Sequence, residues 1–436
     1  MAQLTVARGG KALLEIVFSA EANSTERYGA EELARWLGEA SGAPFTVRAL
    51  RAGEPAPAKG ILLRHDPALG NEEFRWRVGS ERVEIAGGRP RGLLYGVYRL
   101  LFELVGIRWW APWATDVSKK PTLALTQGER QEKPAFESRD PFWYPAFDGD
   151  WAARNHSNSA SARLTEKHGG KIIYKGFVHT FFPLIPPEEH FEKHPEWYSL
   201  LKNKRTVQGA QLCTTNPQLR EKVVERVRAW LKEAPEAAII SISQNDWYGP
   251  CECDNCRALD DAEGGHIGSV LTLVNFVAER LEREFPNIAF DTLAYQYTRA
   301  APRTLRPRPS VIVRLCSIEC NFGEPLEAPV NKAFGDDLRA WSQKSQRLYI
   351  WDYTTNFAHY CLPHPNWFAL GANVRFFHNH GVKGLFEQGA YQSQSSEFSE
   401  LRAWVLARLL WDPKLDDRKL ITEFLNGYYG KRSAPF

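Results

Sequence analysis

The chain of 436 residues is longer than one hydrophobic core usually holds, so two domains are expected, one of them large enough for a barrel of roughly 250 residues. Its 55 basic and 52 acidic side chains leave a net charge of +3 and are spread evenly, which excludes a basic stripe for nucleic acid and an acidic tail. No apolar run approaches the roughly 20 residues that span a bilayer, and Met1 to Gly10 lacks the pattern of a signal peptide. A soluble chain with no membrane partner is expected, cytoplasmic as it stands or secreted if a leader has been removed. Nothing in the sequence sets an oligomeric state or calls for an organic cofactor.

In chain order, Leu14 to Val17 reads as a strand and Thr25 to Leu37 as a helix, with Tyr28, Leu33, Trp36 and Leu37 at helical spacing. Phe45 to Leu50 and Gly60 to Leu63 are short strands, and Phe74 to Val78 with Val83 to Ala86 a hairpin. The loop Gly87-Gly88-Arg89-Pro90-Arg91-Gly92 opens a helix predicted over Leu93 to Val105, and Pro121 to Pro134 reads as a polar linker. A small α/β sandwich domain over 1–130 is expected.

From Phe136 onward eight apolar segments, about 140–147, 172–182, 209–214, 238–246, 288–296, 311–319, 347–353 and 382–388, are each followed by a polar loop and a helical pattern. Eight such repeats predict a (β/α)8 TIM barrel over 131–436. Asn216-Pro217 caps one intervening helix, whose Leu219, Val223, Val227, Trp230 and Leu231 form an apolar stripe that reads as core.

In such a barrel the active site lies at the carboxyl ends of the strands. The fourth segment runs into Gln244-Asn245-Asp246-Trp247, the sixth ends at Glu319, the seventh at Trp351-Asp352-Tyr353 and the eighth at Glu387, with Tyr391 just beyond. Cleavage of a glycosidic bond needs one carboxylic acid to protonate the leaving oxygen and a second group as base or nucleophile. Asp246 is the expected acid, with Glu387 and Glu319 competing for the second role. Arg139 and His179 are expected to hold sugar hydroxyls or a uronate, while Trp247, Tyr295, Trp351, Tyr353 and Tyr391 offer rings that stack on a pyranose. The 15 Trp, 15 Tyr and 24 Phe suit such a cleft, although many belong to the core.

Cys251, Cys253 and Cys256 place three thiols within six residues, directly after the Asp246 loop. With Cys213 from the neighbouring loop they have the number and spacing for one structural zinc; disulfides or inert buried thiols are the alternatives.

The first domain resembles the accessory domain that precedes the barrels of family 20 β-hexosaminidases and family 67 α-glucuronidases. The resemblance lies in Ala30-Glu31-Glu32-Leu33, in the run from Gly87 to Tyr98, and in Gly106-Ile107-Arg108-Trp109. The barrel resembles the domain of unknown function 4838 set through His194 to Tyr198, Gln211 to Thr214, Asn245 to Cys256 and Phe424 to Gly430. That last motif looks internal in similar proteins, which implies a further C-terminal domain. The resemblance implies a sugar-cleaving fold with Asn245 and Asp246 at the place of the family 20 Asp-Glu pair and Arg139 at that of its sugar-binding arginine. The amide and the shorter acid depart from that pattern. A second, partial likeness is to family 42 β-galactosidases, in which an Asn-Glu at the fourth strand precedes a zinc-binding cysteine cluster. An exo-acting glycoside hydrolase on an oligosaccharide or glycan is therefore expected, with an α-glucuronidase and a non-catalytic carbohydrate-binding protein as the other readings.

Overall fold

The computed structural model describes residues 2–432, so the last residues of the second expected domain lie outside the described residues. Two compact units emerge. The first runs to Lys171 and is joined by Thr355–Pro363 and by the chain from Gly389 onward; the second comprises Ile172–Thr354 and His364–Gln388.

The first unit is built on a six-stranded mixed sheet of β1 (Ile16–Phe18), β2 (Val47–Ala49), β3 (Gly60–His65), β4 (Phe74–Val78), β5 (Arg82–Gly87) and β6 (Gly128–Glu132). The order is β6-β4-β5-β3-β1-β2, with the hairpin β4/β5 antiparallel as its alternation predicts and β1, β2, β3 and β5 parallel. Helix Ser24–Ser41 covers it, started by a capping box between Asn23 and Glu26 and stopped by Gly42 in the left-handed region. The glycine loop is explained by close approach: a Cβ on Gly87, Gly88 or Gly92 would come within 2.0, 1.9 and 2.2 Å of Leu93 N, Gly70 O and Glu73 O. The predicted linker over Pro121 to Pro134 is not one. It forms strands Thr122–Thr126, paired with Gln3–Arg8, and β6, whose outward polar residues disguised it as loop.

The boundary expected near residue 130 does not coincide with the division at Lys171. The chain beyond 130 is tied to the first unit by polar and apolar contacts. Tyr28 bonds Asp150 at 3.2 Å, Arg154 pairs with Glu32 at 3.0 Å, and Trp411 stacks on Phe74 with ring centroids 5.9 Å apart. The expected first barrel strand, 140–147, also falls here, as the short strand Ser138–Asp140 followed by a 3-10 turn at Tyr144–Phe147.

The second unit carries six parallel strands: β7 (Tyr174–Lys175), β8 (Ile239–Ser241), β9 (Ala289–Ala294), β10 (Val311–Cys316), β11 (Arg347–Tyr353) and β12 (Gly384–Gln388). They run side by side in chain order, a half-barrel where eight strands closing on themselves are expected. Five of these strands, β8 to β12, are largely buried on both faces, as in a parallel sheet flanked by helices. The segment 209–214 forms no strand, and β7 pairs directly with β8. Its backbone bonds go elsewhere, from Gln211 N to Gly249 O at 3.2 Å and from Cys213 N to Trp197 O at 2.8 Å. The segment 172–182 shrinks to two paired residues because Gly176 and His179 adopt φ of 64° and 57°, which no extended strand allows. Helix Pro217–Glu233 buries the stripe expected of it, except that Trp230 is only partly buried, and helix Ile267–Leu281 buries Val270, Leu273, Val274, Val277 and Leu281.

Candidate functional site

A cavity of about 260 Å³ opens at the carboxyl ends of the second unit's strands, lined by Val178, His179, Asp246, Leu293, Tyr295, Cys316, Ile318, Trp351, Tyr353 and Gln388. Each strand contributes by position: β9 leads into Tyr295, β10 ends at Cys316, and β11 supplies Trp351 and Tyr353 on one face. A larger hollow of about 940 Å³ lies along β4 to β6 in the first unit, but its lining, including Arg77, Arg82, Glu84 and Glu129, has no aromatic face.

Asp246 is held at the rim with its side chain 59% exposed. The Tyr295 hydroxyl donates to its Oδ1 at 3.1 Å, and burial, reinforced by the Asp246 charge, pushes the phenol up, so Tyr295 stays a proton-bearing donor. His179 Nδ1 lies 2.8 Å from the Gln244 carbonyl, which can only accept; Nδ1 therefore carries the proton and Nε2 faces Asp246 Oδ1 at 3.9 Å. The left-handed backbone at His179 is fixed by its N–H bond to Ser243 Oγ at 2.8 Å. Gln244, which sequence reasoning did not single out, is buried and sets this geometry: its amide donates to Tyr295 O at 3.2 Å and accepts from the Thr298 hydroxyl at 2.6 Å. Gln388, also missed, accepts from Trp351 Nε1 at 2.7 Å and fixes the indole plane. Its polarity beside two aromatic residues of the adjacent strand was the available signal. Below the cavity Arg314 and Asp291 form a buried pair at 3.0 Å, with the guanidinium over the Phe177 ring at 4.9 Å.

Of the expected site residues, His179, Asp246, Tyr295, Trp351 and Tyr353 come together here. The others are placed elsewhere. Arg139 is buried in the first unit, where its guanidinium pairs with Glu72 at 2.8 Å and bonds the carbonyls of His156 and Phe136. Burial works to raise the Glu72 carboxyl, but Arg139 and Arg91 outweigh it and hold it down to about 2. Tyr391 is in the first unit too, against Phe142 with centroids 5.0 Å apart. Asn245 spends its side chain on the backbone, donating to Ala210 O at 3.1 Å and accepting from Phe182 N at 3.2 Å, which positions the loop. Trp247 donates to Ala210 O at 2.6 Å and rests edge-on against Phe182, outside the lining.

The three remaining acids, Glu319 and Glu387 expected as catalytic and Asp352 as substrate-binding, do not line the cavity. Glu319 is half-exposed and ion-paired with Arg299, which also binds Asp337 at 2.7 Å. Asp352 sits between cavity-facing Trp351 and Tyr353, so the period-two alternation of a strand turns it to the other face. There it accepts from Ser317 and from Asn373 Nδ2 at 3.4 Å, and burial pushes its carboxyl up to about 6. Glu387, its register partner on β12, lies between Phe386 and cavity-lining Gln388 and shares that fate. It is buried, Oε1 lacks a hydrogen-bond partner, and burial with the neighbouring Asp352 drives its pKa well above the ordinary carboxylate value.

Beside the Asp246 loop the sulfurs of Cys213, Cys251, Cys253 and Cys256 lie within 4.8 Å of one another, and none is in a disulfide.

An α/β chain with a parallel half-barrel sheet and an acid at its strand ends is the class these observations define. Residues 109–436 match the model of the "Domain of unknown function (DUF4838)" family, and the chain belongs to that family. No curated protein matches the sequence. Among solved structures it is similar to the Flavobacterium johnsoniae chitobiase FjGH20, at TM-score 0.59 and 12% identity, over 99% of this chain and 71% of that one. It is similar to the family GH115 4-O-methyl-α-glucuronidase BtGH115A at TM-score 0.58 and 11% identity, over 99% of this chain but only 61% of the enzyme. A third is the Streptomyces plicatus N-acetyl-β-hexosaminidase bound to Thio-NAglucal, at TM-score 0.55 and 14% identity, over 100% and 93%. At these identities the likeness is one of fold. No described helix is long and apolar enough to cross a membrane.

Proposed function

We propose that the chain is a glycoside hydrolase that cleaves an O-glycosidic bond in an oligosaccharide or glycan, acting from the chain end, with Asp246 as the proton donor. The observation that carries this reading is Asp246 at a cavity walled by Trp351, Tyr353, Tyr295 and His179. Aromatic faces stack on the apolar side of a pyranose, and hydroxyl, imidazole and amide groups meet its polar edge. About 260 Å³ is small against the roughly 300–1,000 Å³ of drug-sized pockets and accommodates one sugar ring, which favours exo action. The fold likeness to a chitobiase, a glucuronidase and a hexosaminidase supports the same class.

In this mechanism Tyr295 holds Asp246 Oδ1, leaving Oδ2 to deliver a proton to the leaving oxygen as the anomeric carbon gains positive charge. His179 Nε2 accepts from, or when protonated donates to, a sugar hydroxyl.

A non-catalytic sugar-binding protein is the second reading, favoured by one observation: Asp246 lines the cavity, while Glu319 is ion-paired with Arg299 and Glu387 is buried outside the lining. A panel of aryl glycosides, including glucuronides and 2-acetamido sugars, separates the two. Turnover that falls by about 10²–10⁴-fold in Asp246→Asn supports the enzyme. Sugar affinity measured by calorimetry with no turnover on any glycoside sinks it in favour of the binder.

A further inference from the structure

Cys213 Sγ lies 3.6 Å from Cys253 Sγ and 3.9 Å from Cys256 Sγ. Disulfide sulfurs would be about 2.05 Å apart. Four thiolates around zinc at about 2.3 Å form a tetrahedron whose edges are about 3.8 Å, and the two distances bracket that length. The neighbourhood supplies donors aimed at sulfur, which free thiols do not require but thiolates do. Leu200 N–H reaches Cys251 Sγ at 3.3 Å, Arg205 Nη1 reaches the same sulfur at 3.6 Å, and the Thr215 hydroxyl sits 3.0 Å from Cys256 Sγ. A zinc with four thiolates carries a net charge of −2, and Arg205 offsets part of it.

We propose that these four sulfurs hold one zinc ion, and that the ion clamps the loop bearing Asp246. The two stretches of chain that meet at the sulfurs are the ones that frame that loop. Two residues before Cys213, the Gln211 amide donates to the carbonyls of Asn245 at 3.1 Å and Trp247 at 2.7 Å and accepts from Asn245 N at 2.8 Å. On the other side Cys251 follows Trp247 after three residues. The segment 209–214 lacks the strand ladder expected of it, and the metal anchors it in the ladder's place. A four-thiolate site is closed, so the ion takes no part in the chemistry. The proposal stands whether or not the chain cleaves sugars, since its readouts are metal content and loop protection.

The test is elemental analysis of protein purified without chelator, followed by hydrogen exchange of the same chain before and after zinc is stripped with a mercurial thiol reagent and a chelator. About one zinc per chain is expected, reduced to background in Cys253→Ser and unchanged in the control Cys361→Ser, whose thiol is exposed. Stripping should speed exchange in 209–213 and 244–256 by at least tenfold, leaving helix Ile267–Leu281 protected. Protein with no zinc, with iron in its place, or with these sulfurs in disulfides by mass spectrometry overturns the site. Zinc present but exchange across 244–248 unaltered by stripping overturns the clamp. Should Cys253→Ser fail to fold, stripping of the unmodified chain decides both points.

Discussion

Two buried carboxylate sites, one in each unit, show opposite solutions to the same problem. In the first unit Glu72 is surrounded by Arg139 and Arg91 and stays ionised, its pKa held near 2. In the second, Asp352 and Glu387 are buried side by side on neighbouring strands, and burial drives both pKa values upward. Asp246 is neither: it is largely exposed, and one donor steadies it. A carboxylate buried with cations is held ionised and ties the fold together, whereas a pair buried without them has its pKa values raised.

The largest effect should come from breaking the first of these. Arg139→Ala leaves Glu72 with half its compensation, a loss expected to cost about 3–5 kcal/mol of stability by denaturant unfolding while turnover of the folded fraction is unchanged. A matching fall in kcat at equal folded protein would return Arg139 to the sugar site.

The second effect is a pH dependence of opposite sign in the two places. Glu72 has a lowered folded pKa, so its contribution is present above the unfolded value of about 4.3 and is lost as pH falls toward about 2. Asp352 has a raised one, so its contribution is complete below about 4 and is lost as pH climbs through about 6. A shift of about two units corresponds to roughly 3 kcal/mol. Glu387→Gln should relieve the upper limb, raising the thermal midpoint at neutral pH more than at pH about 4. A midpoint that moves equally at both pH values would mean that Glu387 is not held protonated.

Smaller changes sharpen the contrast with Asp246. Tyr295→Phe removes one hydrogen bond to the acid and should lower kcat by up to about tenfold, the worth of about 0.5–1.5 kcal/mol. Its test is the alkaline limb of the kcat profile, the limb that a proton donor sets, which should shift if the phenol acts on Asp246 and stay put if it merely fills space. Glu319→Gln breaks a half-exposed pair and should cost about 0.2–1 kcal/mol, with turnover unaffected.

Much of this was legible in the residues. β9 to β12 fall within the predicted segments because runs such as Val311 to Cys316 and Leu348 to Ile350 have no competing conformation. The hairpin, the glycine loop and the cysteine grouping were readable for the same local reasons. What escaped was tertiary. The place of 209–214 depends on partners at 197–199 and 249, far along the chain. The fate of the acids turned on one-residue parity: in Trp351-Asp352-Tyr353 two rings facing the cavity force the acid away, and the sequence did not say which face the cavity would take. Arg139 looked like a ligand because its partner Glu72 lies 67 positions upstream.

The central claim is that facing the cavity, and not merely standing at a strand end, selects the working carboxylate. Turnover of one active aryl glycoside, measured side by side for Asp246→Asn and Glu387→Gln at equal folded protein, tests it most directly. The account predicts a loss of about 10²–10⁴-fold for Asp246→Asn and near-parental kcat for Glu387→Gln. A comparable collapse in Glu387→Gln, or full activity in Asp246→Asn, would contradict it.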